Sequence, residues 1–187
     1  MALKLHTIIC STRPGRVGES VANWFHSVAA EHADFDADLI DLLDFNLPVF
    51  DEPHHPALQK YQHAHTKAWA SSVDSADAYV FVTPEYNFGP PPSLLNALNY
   101  LYLEWNYKPA GIVSYGGISG GLRSAQMIKL TLTTLKIVPL YESVTVQNVA
   151  DKIDNKRLFH AEDPHATSAQ KMLDELARWA KALRAMR

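Results

Sequence analysis

Five short apolar runs, each followed by a stretch with helical spacing, constrain this chain more than any other feature of it. The runs are Leu5 to Cys10, Ala37 to Leu42, Ala78 to Thr83, Ala110 to Tyr115 and Val138 to Val146, the last interrupted near Glu142. Continuous apolar runs rich in β-branched residues are what strands buried on both faces require. The intervening segments carry the helical period instead. Val17 to about His32 places Val21, Ala22, Trp24, Phe25, Val28 and Ala29 at helical spacing, and Tyr61, Ala64, Ala68, Trp69 and Val73 make a second such face. Leu94, Leu95, Ala97, Leu98, Leu101 and Tyr102 make a third, Leu122 to Leu135 a fourth, and Ala166 to Arg187 a fifth. Pro48, Pro53 and Pro56 exclude a continuous helix after the second strand and predict a long structured loop. Asp151 to Pro164 reads as a polar loop.

Strictly alternating strands and helices predict an α/β three-layer sandwich around an open, five-stranded parallel sheet of order 2-1-3-4-5. At 187 residues, 47% of them hydrophobic, the chain can bury one sizeable core, so residues 1–187 are expected to form a single domain. Its formal charge of -3 leaves no excess of Lys and Arg for wrapping nucleic acid or gripping an anionic membrane. A lone cysteine, Cys10, excludes an internal disulfide, and no run approaches the length that spans a bilayer. The apolar run at the N-terminus is too short for a signal peptide, so a cytoplasmic location is expected. Sheets of this order bind ligands beyond the carboxyl ends of the strands, near the switch point between the first and third.

Three loops fall there. The first, Ser11-Thr12-Arg13-Pro14-Gly15-Arg16-Val17-Gly18, offers hydroxyls, two guanidinium groups and the free amides of a helix start. That donor set suits a phosphate dianion; the alternative is a capped turn with two solvated arginines. Neither a G-x-G-x-x-G fingerprint nor a Walker loop is present, which favours a monophosphate, and FMN is the common monophosphate cofactor of this architecture. The second loop, Thr83-Pro84-Glu85-Tyr86-Asn87-Phe88-Gly89-Pro90-Pro91-Pro92, is stiffened by four prolines and supplies backbone donors and flat surfaces for a flavin, or else is a turn only. The third, Ser114-Tyr115-Gly116-Gly117-Ile118-Ser119-Gly120-Gly121, holds half of the chain's 8 glycines, either for close passage of a planar ligand or for a flexible turn.

Together these residues resemble the NADPH-dependent FMN reductases of flavodoxin-like fold, which include quinone, azo-dye and chromate reductases. The resemblance runs from about Thr7 to Val146 and rests on Ser11 to Arg16, Thr83 to Asn87 with Asn96-Ala97-Leu98, Glu104-Trp105 with Lys108-Pro109, and Ser114 to Gly117. It implies that Ser11, Arg13, Arg16 and the amides of Val17 and Gly18 hold the FMN phosphate. It also implies that Pro84, Glu85, Tyr86 and Asn87, with Ser114, Tyr115, Gly116 and Gly117, line the isoalloxazine. Cys10, Leu95 and Asn99 stand where the family usually has glycine, lysine and aspartate. Cys10, if exposed beside the phosphate loop, would be redox-sensitive.

The resemblance further implies an NAD(P)H-dependent oxidoreductase working by ping-pong turnover: NADPH or NADH leaves before a quinone, azo compound, free flavin or similar small-molecule acceptor enters. The flavin carries the chemistry, so positioning residues and no catalytic acid are expected. A homodimer or homotetramer is implied, and Tyr100, Tyr102, Trp105 and Tyr107 form either an aromatic subunit contact, the favoured reading, or part of the core. His54, His55, His63 and His65 lack a cysteine partner and read as solvated histidines, with no metal expected. Asp41, Asp44, Asp51 and Glu52 read as capping, turn or rim carboxylates. Two rival classes share the fold: a flavodoxin-type electron carrier, against which the weak net charge and the two loop arginines count, and a scaffold protein that uses no flavin.

Overall fold

The computed structural model describes residues 2–187. Five parallel strands, β1 (Leu3–Ile9), β2 (Phe35–Asp41), β3 (Ala78–Pro84), β4 (Pro109–Tyr115) and β5 (Val138–Val146), form one sheet of order β2-β1-β3-β4-β5. All four pairings are parallel. The helices are α1 (Gly18–Ala30), α2 (Ala64–Ser75), α3 (Pro92–Asn99), α4 (Leu122–Thr134) and α5 (Asp163–Leu183). The architecture is the α/β flavodoxin-like sandwich that the alternation predicts. Because β2 and β3 flank β1 on opposite sides, the chain reverses its progress across the sheet between them, opening a crevice at the carboxyl ends of β1 and β3.

The strand period of two sends alternate residues to two cores. Leu5, Ile9, Val80, Val82 and Val113 pack on one face with Val21, Phe25, Met172, Leu173 and Leu176 from α1 and α5. Ile8, Cys10, Tyr79, Phe81 and Ile112 pack on the other with Trp69, Leu94, Leu98 and Ile128 from α2, α3 and α4. Strands β3 and β4 are buried at every residue, which explains their unbroken apolar character.

Several boundaries differ from the sequence expectation. The interruption near Glu142 is a register shift: Ala110 faces Pro139 and Ile112 faces Ser143, so β5 carries extra residues within a continuous strand. Helix α2 starts at Ala64, leaving Tyr61 outside, where its hydroxyl donates to Glu104 at 2.9 Å. Helix α3 ends at Asn99, and Leu101 and Tyr102 lie in the connection that follows. Helix α5 starts earlier than expected, at Asp163, because Pro164 suits a helix's first turn and Glu162 and His165 close a capping box. The Asp151 to Pro164 segment is not featureless: a short 3-10 turn ends at Lys152 and a bridge joins Ile153 to Phe159.

The aromatic residues after α3 are mainly core. Tyr100 and Trp105 are fully buried, Trp105 against Trp69 and Tyr79, so the reading of these residues as an exposed subunit contact fails for both. No helix is long and apolar enough to cross a membrane among the described residues.

Candidate active site

Each of the three loops leaves the carboxyl end of a strand, β1, β3 or β4, and the sheet brings them side by side. Direct bonds join them. Ser11 Oγ lies 2.7 Å from the Tyr86 hydroxyl, tying the first loop to the second. The Glu85 amide donates to the Tyr115 carbonyl at 3.2 Å, tying the second to the third. Behind the third, Asn148 and Val149 donate to the carbonyls of Gly117 and Gly116.

The first loop gathers hydrogen-bond donors that lack acceptors. Helix α1 begins after Val17, which makes no side-chain capping bond. The amides of Val17, Gly18 and Glu19 have no acceptor among the described residues, which leaves unsatisfied donors at the positive end of the helix. Arg13 is exposed and Arg16 is buried. Arg16 pairs through Nη2 with Asp41 at the end of β2, a partnership that the reading of Asp41 as a rim carboxylate missed. Burial raises the Asp41 carboxyl, outweighing the lowering by the Leu43 amide and by Arg16. The other terminal nitrogen, Nη1 of Arg16, is buried without an acceptor. A buried guanidinium N–H without a partner and three amides without acceptors, all in one loop, fit an anionic group such as the phosphate of FMN.

The second loop is a tight reversal. Tyr86 and Gly89 exchange both backbone hydrogen bonds, at 2.8 and 2.9 Å, around Asn87 and Phe88, whose φ values are 48° and 70°. Two left-handed residues in succession give a type I′ turn. Phe88 stands 64% exposed at its tip, with the Arg123 guanidinium 4.2 Å from the ring centre. Pro84 is buried at the end of β3.

The Glu85 side chain is engaged by α4 and the third loop. Its carboxylate accepts from Ser119 Oγ at 2.8 Å, the Arg123 amide at 3.1 Å and Arg123 Nη1 at 2.7 Å, so it caps α4. Burial acts to raise this carboxyl, and the bonds from Arg123 and Ser119 outweigh it and hold it below the ordinary glutamate range.

In the third loop Ser114 and Tyr115 are buried, and the Ser114 hydroxyl has no partner. Burial pushes the Tyr115 phenol well above its usual range. Gly121, at φ +80°, passes so close to Tyr115 that a β-carbon would lie 2.7 Å from its amide nitrogen, so this position admits only glycine. Gly117 faces open space. Two cavities of about 540 Å³ lie near the three loops: one is lined by Thr12 of the first loop and Pro92 of the second with Leu43, Asn46 and Leu95, the other by Thr145, Asn148, Lys152 and His165.

Cys10 is fully buried, and burial raises its thiol far above the usual range, so the exposed, redox-sensitive alternative is overturned. His63 and His65 stack at 5.1 Å beside Asp51, and His55 accepts from the Ala57 amide. Among the described residues no group of three or more His, Cys, Asp or Glu is disposed to hold a metal ion. Glu52 accepts from the amides of Gln62 and His63, just before α2.

Residues 3–151 match the family described as NADPH-dependent FMN reductase. An NAD(P)H-dependent FMN reductase of Schizosaccharomyces pombe is 39% identical over 153 residues, 80% of this chain and 76% of that protein. A 2-hydroxy-1,4-benzoquinone reductase of a Burkholderia species is 29% identical over 65% of this chain and 60% of that one. The flavoenzyme FerB, an NAD(P)H:acceptor oxidoreductase of Paracoccus denitrificans, has the same fold, with a TM-score of 0.74 over 97% of this chain and 98% of its own at 18% identity. With the motifs and the sheet order agreeing, the chain belongs to the NADPH-dependent FMN reductase family and is an oxidoreductase that uses FMN and NAD(P)H.

Proposed function

We propose that this protein oxidises NADPH or NADH and passes the reducing equivalents, through bound FMN, to a quinone or similar small-molecule acceptor by ping-pong turnover. The observation that carries the reading is the first loop's set of donors without acceptors, the amides of Val17 and Gly18 at the start of α1 and the buried Nη1 of Arg16. FMN, when bound, supplies the hydride chemistry. Ser11, Arg13, Arg16 and the two amides hold its phosphate. Pro84, the backbone of Glu85, Tyr86 and Asn87 give the ring a stiff edge, because the I′ turn is closed by two hydrogen bonds. Ser114, Tyr115, Gly116 and Gly117 line the opposite side, where Gly117 leaves room for a planar group.

No ionisable side chain is assigned a proton-transfer role: Glu85 is committed to α4 and the Tyr115 phenol is too weak an acid. The acceptor class is supported by the benzoquinone reductase among the relatives. We place the enzyme in the cytoplasm, as one domain assembled into a homodimer or homotetramer. The test is an anaerobic absorbance spectrum of protein reconstituted with FMN, before and after NADPH or NADH. Bleaching of the flavin band, restored by a quinone after the nicotinamide is removed, is the expected result. Tight FMN binding without bleaching supports an electron carrier instead, and no binding overturns the flavoprotein reading.

A further inference from the structure

A segment far along the chain reaches back to the start of α1. Between Ile153 and Phe159 the backbone closes a small hairpin, secured by the bridge between those residues and by the His160 amide donating to the Lys152 carbonyl at 2.8 Å. Its tip is organised by Asp154, which accepts from the amides of Lys156 at 2.8 Å and Leu158 at 2.9 Å and from His160 Nε2 at 3.0 Å. Phe159 is buried against Trp24 of α1, ring centres 5.2 Å apart, so the hairpin is docked on that helix. This docking brings Arg157, at φ 62°, to the beginning of α1, where its Nη2 donates to the backbone carbonyl of Arg16.

That carbonyl belongs to the same peptide unit as the Val17 amide. In a planar trans peptide the C=O and N–H point in opposite directions. A donor fixed on the Arg16 oxygen therefore fixes the direction of the Val17 N–H, one of the first loop's open donors. A cationic donor also draws electron density toward the oxygen and strengthens the N–H as a donor, as hydrogen-bonded chains polarise one another. Arg157 holds a left-handed backbone conformation, rare for a residue with a side chain, in the hairpin turn where its amide donates to the Asp154 carbonyl at 2.9 Å.

We infer that Arg157 is a positioning residue for the flavin phosphate, acting through the Arg16–Val17 peptide and distinguishing phosphorylated from unphosphorylated flavin. The inference rests on the proposed phosphate cradle. It adds a determinant that lies outside residues 3–151, the region matching the family.

The experiment titrates apoprotein with FMN and with riboflavin, which lacks the phosphate, following flavin fluorescence in wild type, Arg157→Ala, Arg157→Gln and Arg157→Lys. Arg157→Ala is expected to raise the FMN Kd about tenfold and leave the riboflavin Kd unchanged. Arg157→Lys keeps a charged donor and recovers most of the loss; Arg157→Gln keeps a neutral donor and recovers less. Equal weakening of both flavins, or no change in either, overturns the inference and leaves Arg157 a structural tether. If Arg157→Ala fails to fold, the Gln and Lys variants give the same comparison. A wild type that binds FMN no better than riboflavin overturns the phosphate cradle itself, a result separate from any effect of Arg157.

Discussion

The phenolic oxygen of Tyr115 occupies the space beside Gly18: a β-carbon added to Gly18 would lie 2.3 Å from it. The contact joins the end of β4 to the start of α1 and so sets the distance between the third loop and the first. Tyr115 is 3% exposed and cannot swing into solvent. Gly18→Ala therefore has to displace either the ring or the helix start, at a cost of about 1–3 kcal/mol in apoprotein stability, together with weaker FMN binding. Combining it with Tyr115→Phe removes the closest atom and should return part of the stability. Chemical denaturation of the two single variants and the double variant checks this, and strict additivity would refute the steric account.

Arg13 makes no side-chain hydrogen bond among the described residues and is exposed, so its charge is free for a ligand. Arg13→Ala is expected to weaken FMN binding by roughly tenfold or more. Apoprotein stability should change by no more than about 0.5 kcal/mol, as for other surface substitutions. Fluorescence titration and thermal unfolding measured on the same samples separate the two effects. A matching loss of stability would make Arg13 structural.

His6 lies within β1, 2% exposed, and burial lowers its imidazole to about 4 from the ordinary 6.5. The unfolded chain therefore binds a proton that the folded chain refuses between these values. Stability is fully present above about 6.5 and falls as the pH drops toward about 4. From about pH 7 to about pH 5 this one group accounts for a loss of about 2 kcal/mol. In His6→Gln that part of the pH dependence should vanish, as read by urea unfolding at the two pH values. An unchanged slope would assign the acid sensitivity to other groups.

Cys10 donates to the Ile8 carbonyl at 3.4 Å and is sealed inside the core on the α2–α4 side. The thiolate is the reactive form, and burial suppresses it. A soluble aromatic disulfide reagent should leave the folded protein untouched and titrate one thiol after denaturation. Rapid reaction of the native protein would show that the carboxyl end of β1 opens in solution.

Glu85 couples the second loop to α4 through three donors, and this predicts cooperativity. Glu85→Ala and Arg123→Ala should each lower stability by up to about 1 kcal/mol, because the Arg123 donors are exposed and Ser119 is half-buried. The double variant should lose less than the sum, as expected for residues that share one network. Additive losses in thermal unfolding would mean that the Glu85–Arg123 contact contributes nothing in solution.

Local pattern was sufficient for the fold. Apolar runs such as Tyr79-Val-Phe-Val and Gly111-Ile-Val-Ser are suited to burial on both faces of a helix-covered parallel sheet, for which 2-1-3-4-5 is one of two common strand orders. It also sufficed to place Ser11 to Gly18 between a strand and a helix at the switch point, where the helix-start amides lack acceptors by backbone geometry alone. What sequence could not supply is which charges meet. Arg13 and Arg16 look alike in one loop, yet the approach of β2 buries Arg16 on Asp41 and leaves Arg13 in solvent. Glu85 sits in the right loop, but α4 claims its carboxylate. Tyr100 and Trp105 carry no helical or strand period that would have marked them as core. Arg157 reaches the first loop across 141 positions of sequence, through the packing of Phe159 on Trp24. Backbone hydrogen bonds and apolar periodicity are short-ranged along the chain and can be read from it, whereas ion pairs and buried aromatic contacts depend on which surfaces the fold presses together.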